Sequence, residues 1–188
     1  MKAQGTRDKG QENNQKPLKN KSPKMIHRLA DLNDFDAVYN LYMDEKSNPY
    51  LTYDPMSRKE FLPIYEGVLR SHTLYVVEHE GEIVGTYRLI SKTDRQQHTA
   101  YIGGFTIRQN MQGQGLGSKI LSHIKSFCAA NGKSRIELTV DINNAGAIAL
   151  YKKMGFSVEG VVRKSYRLSS TNQYYDEYLM AFVQETNS

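Results

Sequence analysis

The sequence contains no tryptophan and only one cysteine, Cys128, among its 188 residues. A single cysteine excludes a disulfide within the chain and is compatible with a reducing cytoplasm, where we expect the protein to reside. Cys128 follows Ile124 and Phe127 at helical spacing. We therefore expect a buried packing thiol rather than a nucleophile, because free cysteine often behaves as a small core hydrophobe.

Long apolar runs are missing as well. No stretch approaches the roughly 20 apolar residues that a membrane-spanning helix needs. The N-terminus carries basic residues but no apolar segment followed by a cleavage site, so it does not have the pattern of a secretory signal. We expect no membrane partner.

The formal net charge of +5 is confined to the first 24 residues. Residues 1–24 hold seven of the 25 Lys and Arg residues and two of the 20 acidic residues, so residues 25–188 are formally neutral. The segment has almost nothing apolar to bury, and we expect a disordered basic tail, or a leader ahead of a natural start at Met25. The neutral remainder argues against nucleic acid as a partner, except through residues 1–24.

From Met25 onward, strand-like and helix-like patterns alternate. The apolar patterns predict strands over 25–29, 74–78, 83–90, 101–107, 136–140, 156–168 and 173–182. Helices are predicted from Asn33-x-x-Asp36, from the capping box Ser57-x-x-Glu60, and over 116–129 and 145–154. This order predicts an α+β fold, a mixed sheet with helices on both faces, as a single domain over residues 25–188.

A glycine-rich stretch, residues 112–118, lies between a predicted strand and a predicted helix. The first N–H groups of a helix have no internal partners and carry the positive end of its dipole, so such a turn can cradle a phosphate. The P-loop pattern fails because Ser118 precedes Lys119. The dinucleotide pattern fails because Ser118 stands where its third glycine belongs.

Two motifs carry a family resemblance. The turn matches Q/R-x-x-G-x-G/A at Gln112, Gly115 and Gly117, and residues 144–156 match N-x-x-A-x-x-L-Y-x-K-x-G-F at every named position. On these motifs, residues 25–183 resemble the GNAT superfamily of acyl-CoA N-acyltransferases. The later Glu159-Gly160 and residues 175–181 resemble the branch that acetylates amino acids, polyamines and protein N-termini.

The resemblance implies a fold and an activity. The fold would be a mixed, mostly antiparallel sheet with splayed central strands. The activity would be that of an N-acetyltransferase that uses acetyl-CoA as co-substrate and no metal. It would move the acetyl group directly, in a ternary complex, to a primary amine of an amino acid, a polyamine or a peptide N-terminus. The alternatives are an acyl-CoA-binding protein without turnover and a nucleic-acid-associated protein. A homodimer is left open.

The same resemblance implies a set of cofactor contacts. Main-chain N–H groups of residues 113–118, assisted by the Gln112 side chain, would hold the pyrophosphate. The strand at 105–107 would pair with pantetheine, with the Ile107 N–H placed where oxyanion charge develops. The predicted cofactor-binding residues are Phe105, Thr106, Ile107, Gln112, Gly113, Gln114, Gly115, Leu116, Gly117, Ser118, Asn144, Tyr151 and Lys153.

Two of these residues have alternative interpretations. Tyr151 occupies the family's general-acid position, and its phenol can donate a proton to the leaving thiolate. It could instead only pack on its helix face beside Leu150. Asn144 would hold the cofactor arm by resemblance, and it could equally cap the following helix.

The general base and the acceptor contacts are not assigned by the sequence. Relatives often carry a carboxylate on the strand before the glycine turn, and residues 101–104 offer none. His98, Asp141 and Asp176 are candidates for the base, as is a chain of water molecules. Candidate acceptor contacts between the first two helices are Asp44, Glu45, Asn48, Tyr50, Tyr53 and Asp54, unless this loop is only a solvated acidic segment.

Overall fold

The structure, a computed structural model, describes residues 25–185. The expected disorder of residues 1–24 lies outside the described residues. The strands are β1 (Ile26–Leu29), β2 (Leu74–His79), β3 (Glu82–Ser91), β4 (Thr99–Ile107), β5 (Arg135–Asp141), β6 (Ser157–Leu168) and β7 (Gln173–Val183). The helices are α1 (Phe35–Tyr42), α2 (Arg58–Arg70), α3 (Leu116–Ala130) and α4 (Ala145–Lys153). None of the helices within residues 25–185 has the length and apolar character needed to span a bilayer.

The seven strands form one sheet in the order β1-β2-β3-β4-β5-β7-β6. The β4–β5 pair is parallel, and every other pair is antiparallel. Strands β4 and β5 pair only where Thr99–Ile102 faces Arg135–Leu138, and they separate beyond that point. The predicted mixed, mostly antiparallel sheet with splayed central strands is confirmed.

A bulge in β4 lies where the two central strands separate. Thr86 of β3 faces Thr106, whereas Arg88 faces Gly103, so β4 contains one residue more than its partner. Gly104 lies in this bulge with a φ of 55°, a conformation that glycine adopts without steric cost. The extra residue bends β4 and redirects the segment that follows it.

Helices cover both faces of the sheet, as predicted. Successive residues of a strand point to opposite faces, and β2 shows this clearly. Its Val76 packs with the aromatic side chains of α1 and α2, whereas Val77 packs with α3. The buried stripe of α3 consists of Leu116, Ile120, Leu121, Ile124 and Cys128. Burial raises the pKa of the Cys128 thiol to about 11, so the prediction of a packing thiol is confirmed.

The starts of the first two helices differ from each other in how well the sequence predicted them. The capping box of α2 is confirmed, with the Ser57 N–H donating to the Glu60 carboxylate at 2.8 Å. The predicted start at Asn33 is wrong. Asp31 caps a short 3-10 turn there, and its own N–H donates to Asp34. The Arg28 guanidinium donates to the Asp34 carboxylate at 2.7 and 2.8 Å. This contact joins β1 to the turn, and the local sequence pattern does not predict it.

Candidate active site

A cavity of about 870 Å³ opens where β4 and β5 separate. Its walls come from β3, β4, β5, the first turns of α3 and α4, the loop before α2 and the β6–β7 hairpin. Twelve of the thirteen predicted cofactor-binding residues line it. The exception is Gln114, whose side-chain amide donates to the Asn110 carbonyl at 3.0 Å. Within residues 25–185, no three His, Cys, Asp or Glu side chains come together as a metal-binding cluster.

The glycine turn presents an open helix N-terminus to this cavity. Gly113 and Gly115 have φ values of 75° and 78°, and a Cβ at either position would meet no atom within 4 Å. Gly115 is the N-cap of α3, and no side chain caps the helix there. The first N–H groups of α3 are therefore free to bind an anion. The residues present fit a pyrophosphate.

Two other residues of the turn have structural contacts. The Gln112 side chain donates to the Ile107 carbonyl at 2.9 Å, so its NH₂ group faces the end of β4. Its contribution to phosphate binding stays a prediction. A Cβ on Gly117 would lie 2.8 Å from the Leu150 side chain. Gly117 thus lets α3 approach α4 closely.

Beyond Ile102, no strand of the described chain pairs with β4 along the edge that faces the gap. The Arg108 N–H donates to the Val84 carbonyl on β3 at 2.8 Å. Because N–H groups alternate between the two edges of a strand, the Ile107 N–H points away from β3. On that side β5 has already separated from β4. This geometry fits the predicted donor to a developing oxyanion.

Tyr151 lies on α4 with its ring in the apolar wall of the cavity. It is 6% exposed, and its ring centroid is 6.3 Å from that of Phe105 and 5.8 Å from that of Phe156. Burial, with a smaller contribution from Tyr101, raises the pKa of Tyr151 above its ordinary value. The phenol therefore keeps its proton at neutral pH. The ring can pack in the wall while the hydroxyl donates a proton or a hydrogen bond.

Asn144 caps α4, as one of its two interpretations requires. Its Oδ1 accepts the Ala147 N–H at 3.1 Å. Asn144 also lines the cavity, and its side-chain NH₂ group, which the cap does not use, can donate to a carbonyl group.

Of the three candidate bases, Asp141 alone lines the cavity. It is 5% exposed at the end of β5, and its carboxylate accepts hydrogen bonds from the Asn143 N–H and the Tyr166 hydroxyl. Asp176 instead accepts the Lys164 N–H at 2.8 Å. His98 is exposed before β4. Glu177, the neighbour of Asp176, faces the cavity in its place.

The six candidate acceptor contacts separate into two groups. Tyr50 and Asp54 line the cavity. The other four do not line it. The Asn48 side chain donates to the Tyr42 and Tyr53 carbonyls at 2.8 and 2.9 Å, and the Tyr53 ring packs on Phe61. Asp44 accepts N–H groups of its own turn, and Glu45 is exposed.

Several cavity residues were not predicted from the sequence, and two of them come from distant elements. Arg88 of β3 and Tyr166 of β6 both line the cavity. The face of the sheet on which each of these side chains lies depends on the bulges in β4 and β6. Arg88 is an isolated charge in an apolar strand, and that was the available signal.

Comparison with known proteins places the chain in a family. The model of the Acetyltransferase (GNAT) family matches residues 35–156. The chain is 37% identical over 87 residues to the 5-NmdU N-acetyltransferase of Pseudomonas phage PaMx11, covering 46% of this chain and 59% of that protein. It is 34% identical over 106 residues to the L-amino acid N-acetyltransferase AaaT of Escherichia coli (strain K12), covering 55% and 64%. These matches span less than two thirds of either relative.

The fold agrees with solved structures. The spermidine N-acetyltransferase from Vibrio cholerae, in complex with CoA and spermine, superposes with a TM-score of 0.72 at 21% identity, covering 85% of this chain and 95% of that one. Since the family match covers well over half of the sequence, the chain belongs to the GNAT family of acetyltransferases.

Proposed function

We propose that the protein transfers the acetyl group of acetyl-CoA directly to a primary amine, in a ternary complex. The acceptor would be a small molecule, such as an amino acid or a polyamine, or a peptide N-terminus. The observation that carries this proposal is the convergence of three donors on one cavity: the open α3 N-terminus, the unpaired Ile107 N–H and the protonated Tyr151 hydroxyl.

Each donor has a separate task. N–H groups at the start of α3 bind the pyrophosphate of CoA, with Lys153 and Asn144 at the same wall. The Ile107 N–H donates to the thioester carbonyl oxygen as negative charge develops there. Tyr151 gives its proton to the departing CoA thiolate as the carbon–sulfur bond breaks.

The attacking amine must lose a proton while its nitrogen bonds to the carbonyl carbon. Asp141 is the buried carboxylate of the cavity, and the Tyr166 hydroxyl is bonded to it. We assign to this pair, or to water that it orders, the acceptance of that proton. A carboxylate at the end of β5 thus takes the place of the β4 carboxylate that residues 101–104 do not supply.

Acyl-CoA binding without turnover is the second candidate, because the α3 N-terminus alone would serve it. The Tyr151 hydroxyl favours catalysis, since a donor with no hydrogen-bond partner among the described residues is poised for a group that enters the cavity.

The test is CoA thiol release from acetyl-CoA in the presence of amino acids, polyamines and short peptides, beside calorimetry of acetyl-CoA alone. Saturable release that depends on the amine, with intersecting initial-rate lines, is the expected result for direct transfer. Tight acetyl-CoA binding without release for any amine would establish the second candidate. Parallel lines would contradict the ternary complex.

A further inference from the structure

Arg88 is a half-buried cation with no acid beside it. Its side chain lines the cavity, and its Nε donates to the Thr73 hydroxyl at 3.2 Å. Across residues 25–185, the guanidinium forms no salt bridge. The two terminal nitrogens of this cavity-lining side chain have no anionic partner among the described residues.

The other half-buried arginines in the described part of the chain are all paired. Arg28 contacts Asp34 and Glu78, and Arg108 contacts Glu82. The remaining one, Arg135, contacts two glutamates. A partly desolvated guanidinium is costly unless it is paired. Arg88 therefore differs from its counterparts in a way that a bound anion would correct.

The position of Arg88 is next to the expected reaction centre. It faces Gly103 across the β3–β4 pair, at the edge of the bulge. A Cβ on Gly104 would lie 3.9 Å from Arg88 Cγ and 2.5 Å from the Tyr42 hydroxyl, so the arginine side chain extends over the bulge on the face covered by α1. The segment that follows the bulge, Phe105–Ile107, is the one proposed to hold the thioester.

We propose that Arg88 binds a carboxylate of the acceptor, so that the acceptor is an amino acid or a related amino-carboxylate rather than a polyamine. This inference rests on the proposed function. A guanidinium matches a carboxylate with two parallel hydrogen bonds. A polyamine brings a second positive charge toward Arg88 and has nothing to pair with it.

The opposite wall of the cavity complements this arrangement. Asp141 and Glu177 face each other on β5 and β7, across β4 from Arg88. Among the described residues, the side chains bonded to these two carboxylates are the neutral hydroxyls of Tyr166 and Ser165. An ammonium group would be attracted to this wall while the carboxylate pairs with Arg88, so the cavity is complementary to a zwitterion.

The test compares acceptors that differ only in the carboxylate. A panel of amino acids identifies the best acceptor, and kcat and KM are then measured for that amino acid, its carboxamide, the amine without the carboxyl group, and spermidine. We expect the amino acid to exceed the other three in kcat/KM by about 10- to 100-fold, the range for a lost hydrogen bond to a charged group.

Arg88→Gln should reduce this preference by a similar factor of about 10 to 100, mainly through KM. The preference in Arg88→Lys should lie between those of the unmodified protein and Arg88→Gln, because lysine keeps the positive charge and loses the paired guanidinium donors. Arg163→Gln removes the same charge from an exposed site on β6 outside the cavity, and it should leave the preference within about threefold. Acetyl-CoA affinity by calorimetry reports that the Arg88 variants remain folded.

The outcomes separate the two proposals. Equal or better acetylation of the carboxamide, the simple amine or spermidine by the unmodified protein would overturn the role of Arg88 and leave acetyl transfer standing. A folded Arg88→Gln variant that still prefers the amino acid to the same extent would likewise overturn the role of Arg88 and leave acetyl transfer standing. Failure of every amine to accept acetyl would refute the proposed function, and this inference with it.

Discussion

At the scale of single residues, Tyr151 is both packed among aromatic rings and part of the cavity lining. Its ring lies between those of Phe105 and Phe156. The same burial that packs the ring disfavours the phenolate and raises the pKa. A phenol held in its protonated form suits a general acid, and it would serve poorly as a base at neutral pH.

Tyr151→Phe should reduce turnover by roughly 10²–10⁴-fold, the range for a general acid, with acetyl-CoA affinity and melting temperature nearly unchanged. Loss of a positioning hydrogen bond alone would cost about tenfold. Because burial raises the pKa, no limb of the rate profile below about pH 10 should belong to Tyr151. Tyr174→Phe, at an exposed position outside the cavity, is the control. Unchanged turnover where chemistry limits the rate would remove Tyr151 from the mechanism.

Gly115→Ala should weaken acetyl-CoA binding, because the methyl group would enter the space beside the first N–H groups of α3. The positive φ adds strain of about 1 kcal/mol. Gly132→Ala is a matched control, since Gly132 has a φ of 70°, an equally open Cβ position and no place in the cavity lining. Calorimetry and thermal melts should show similar loss of stability in both variants and loss of affinity in Gly115→Ala alone. Equal affinities would contradict the cradle assignment.

At the scale of elements, β1 and α3 are joined by an unusual contact. The rings of His27 and His123 stack with centroids 3.7 Å apart, and His27 Nδ1 lies 3.3 Å from the Tyr87 hydroxyl. Burial, with the charge of His123, lowers the pKa of His27 to about 4. Burial also lowers the pKa of His123. Both rings are therefore neutral in the folded protein at pH 7.

This contact predicts a stability that depends on pH. Between the ordinary pKa of about 6.5 and the folded value, the unfolded chain binds protons that the folded protein does not, so stability is lost as pH falls. The melting temperature should fall between pH 7 and pH 4.5, and His27→Phe should flatten that dependence. His98→Gln, at an exposed site, should not change it. If His27→Phe left the pH dependence of the melting temperature unaltered, the His27–His123 pair would not contribute to it.

At the scale of the whole molecule, the cavity exists because two halves of one sheet separate. β1 to β4 form one half, β5 to β7 form the other, and they pair through only four residues of β4. The β6–β7 hairpin reaches back across the gap, where the Ser169 hydroxyl donates to Asp54 at 2.6 Å. The hairpin thus contacts the loop before α2, a segment more than 100 residues earlier in the chain.

Deletion of residues 1–24 should leave the melting temperature and the steady-state acetylation of a small amine nearly unchanged. The reason is compositional, since the segment offers almost no apolar surface for packing. Thermal melts and rate measurements on the shortened and full-length chains test this. A clearly lower melting temperature would mean that the segment docks on the rest of the protein.

The sequence by itself determined the elements, the family and the open glycine turn at the start of α3. These depend on local chemistry: glycines at 113 and 115 permit positive φ, Ser57 and Glu60 cap α2, and apolar spacing marks α3. Such features act within a few residues, so they can be recognised in a linear chain.

Only the tertiary structure decided which polar side chains share the cavity. A shift of one residue in strand pairing moves every side chain to the other face, and the bulges that set this register cannot be located from the sequence. Glu177 therefore faces the cavity whereas its neighbour Asp176 does not, and Asp141 lines it whereas His98 stays outside. Arg88 reaches it from β3 for the same reason, because β4 bulges opposite that position.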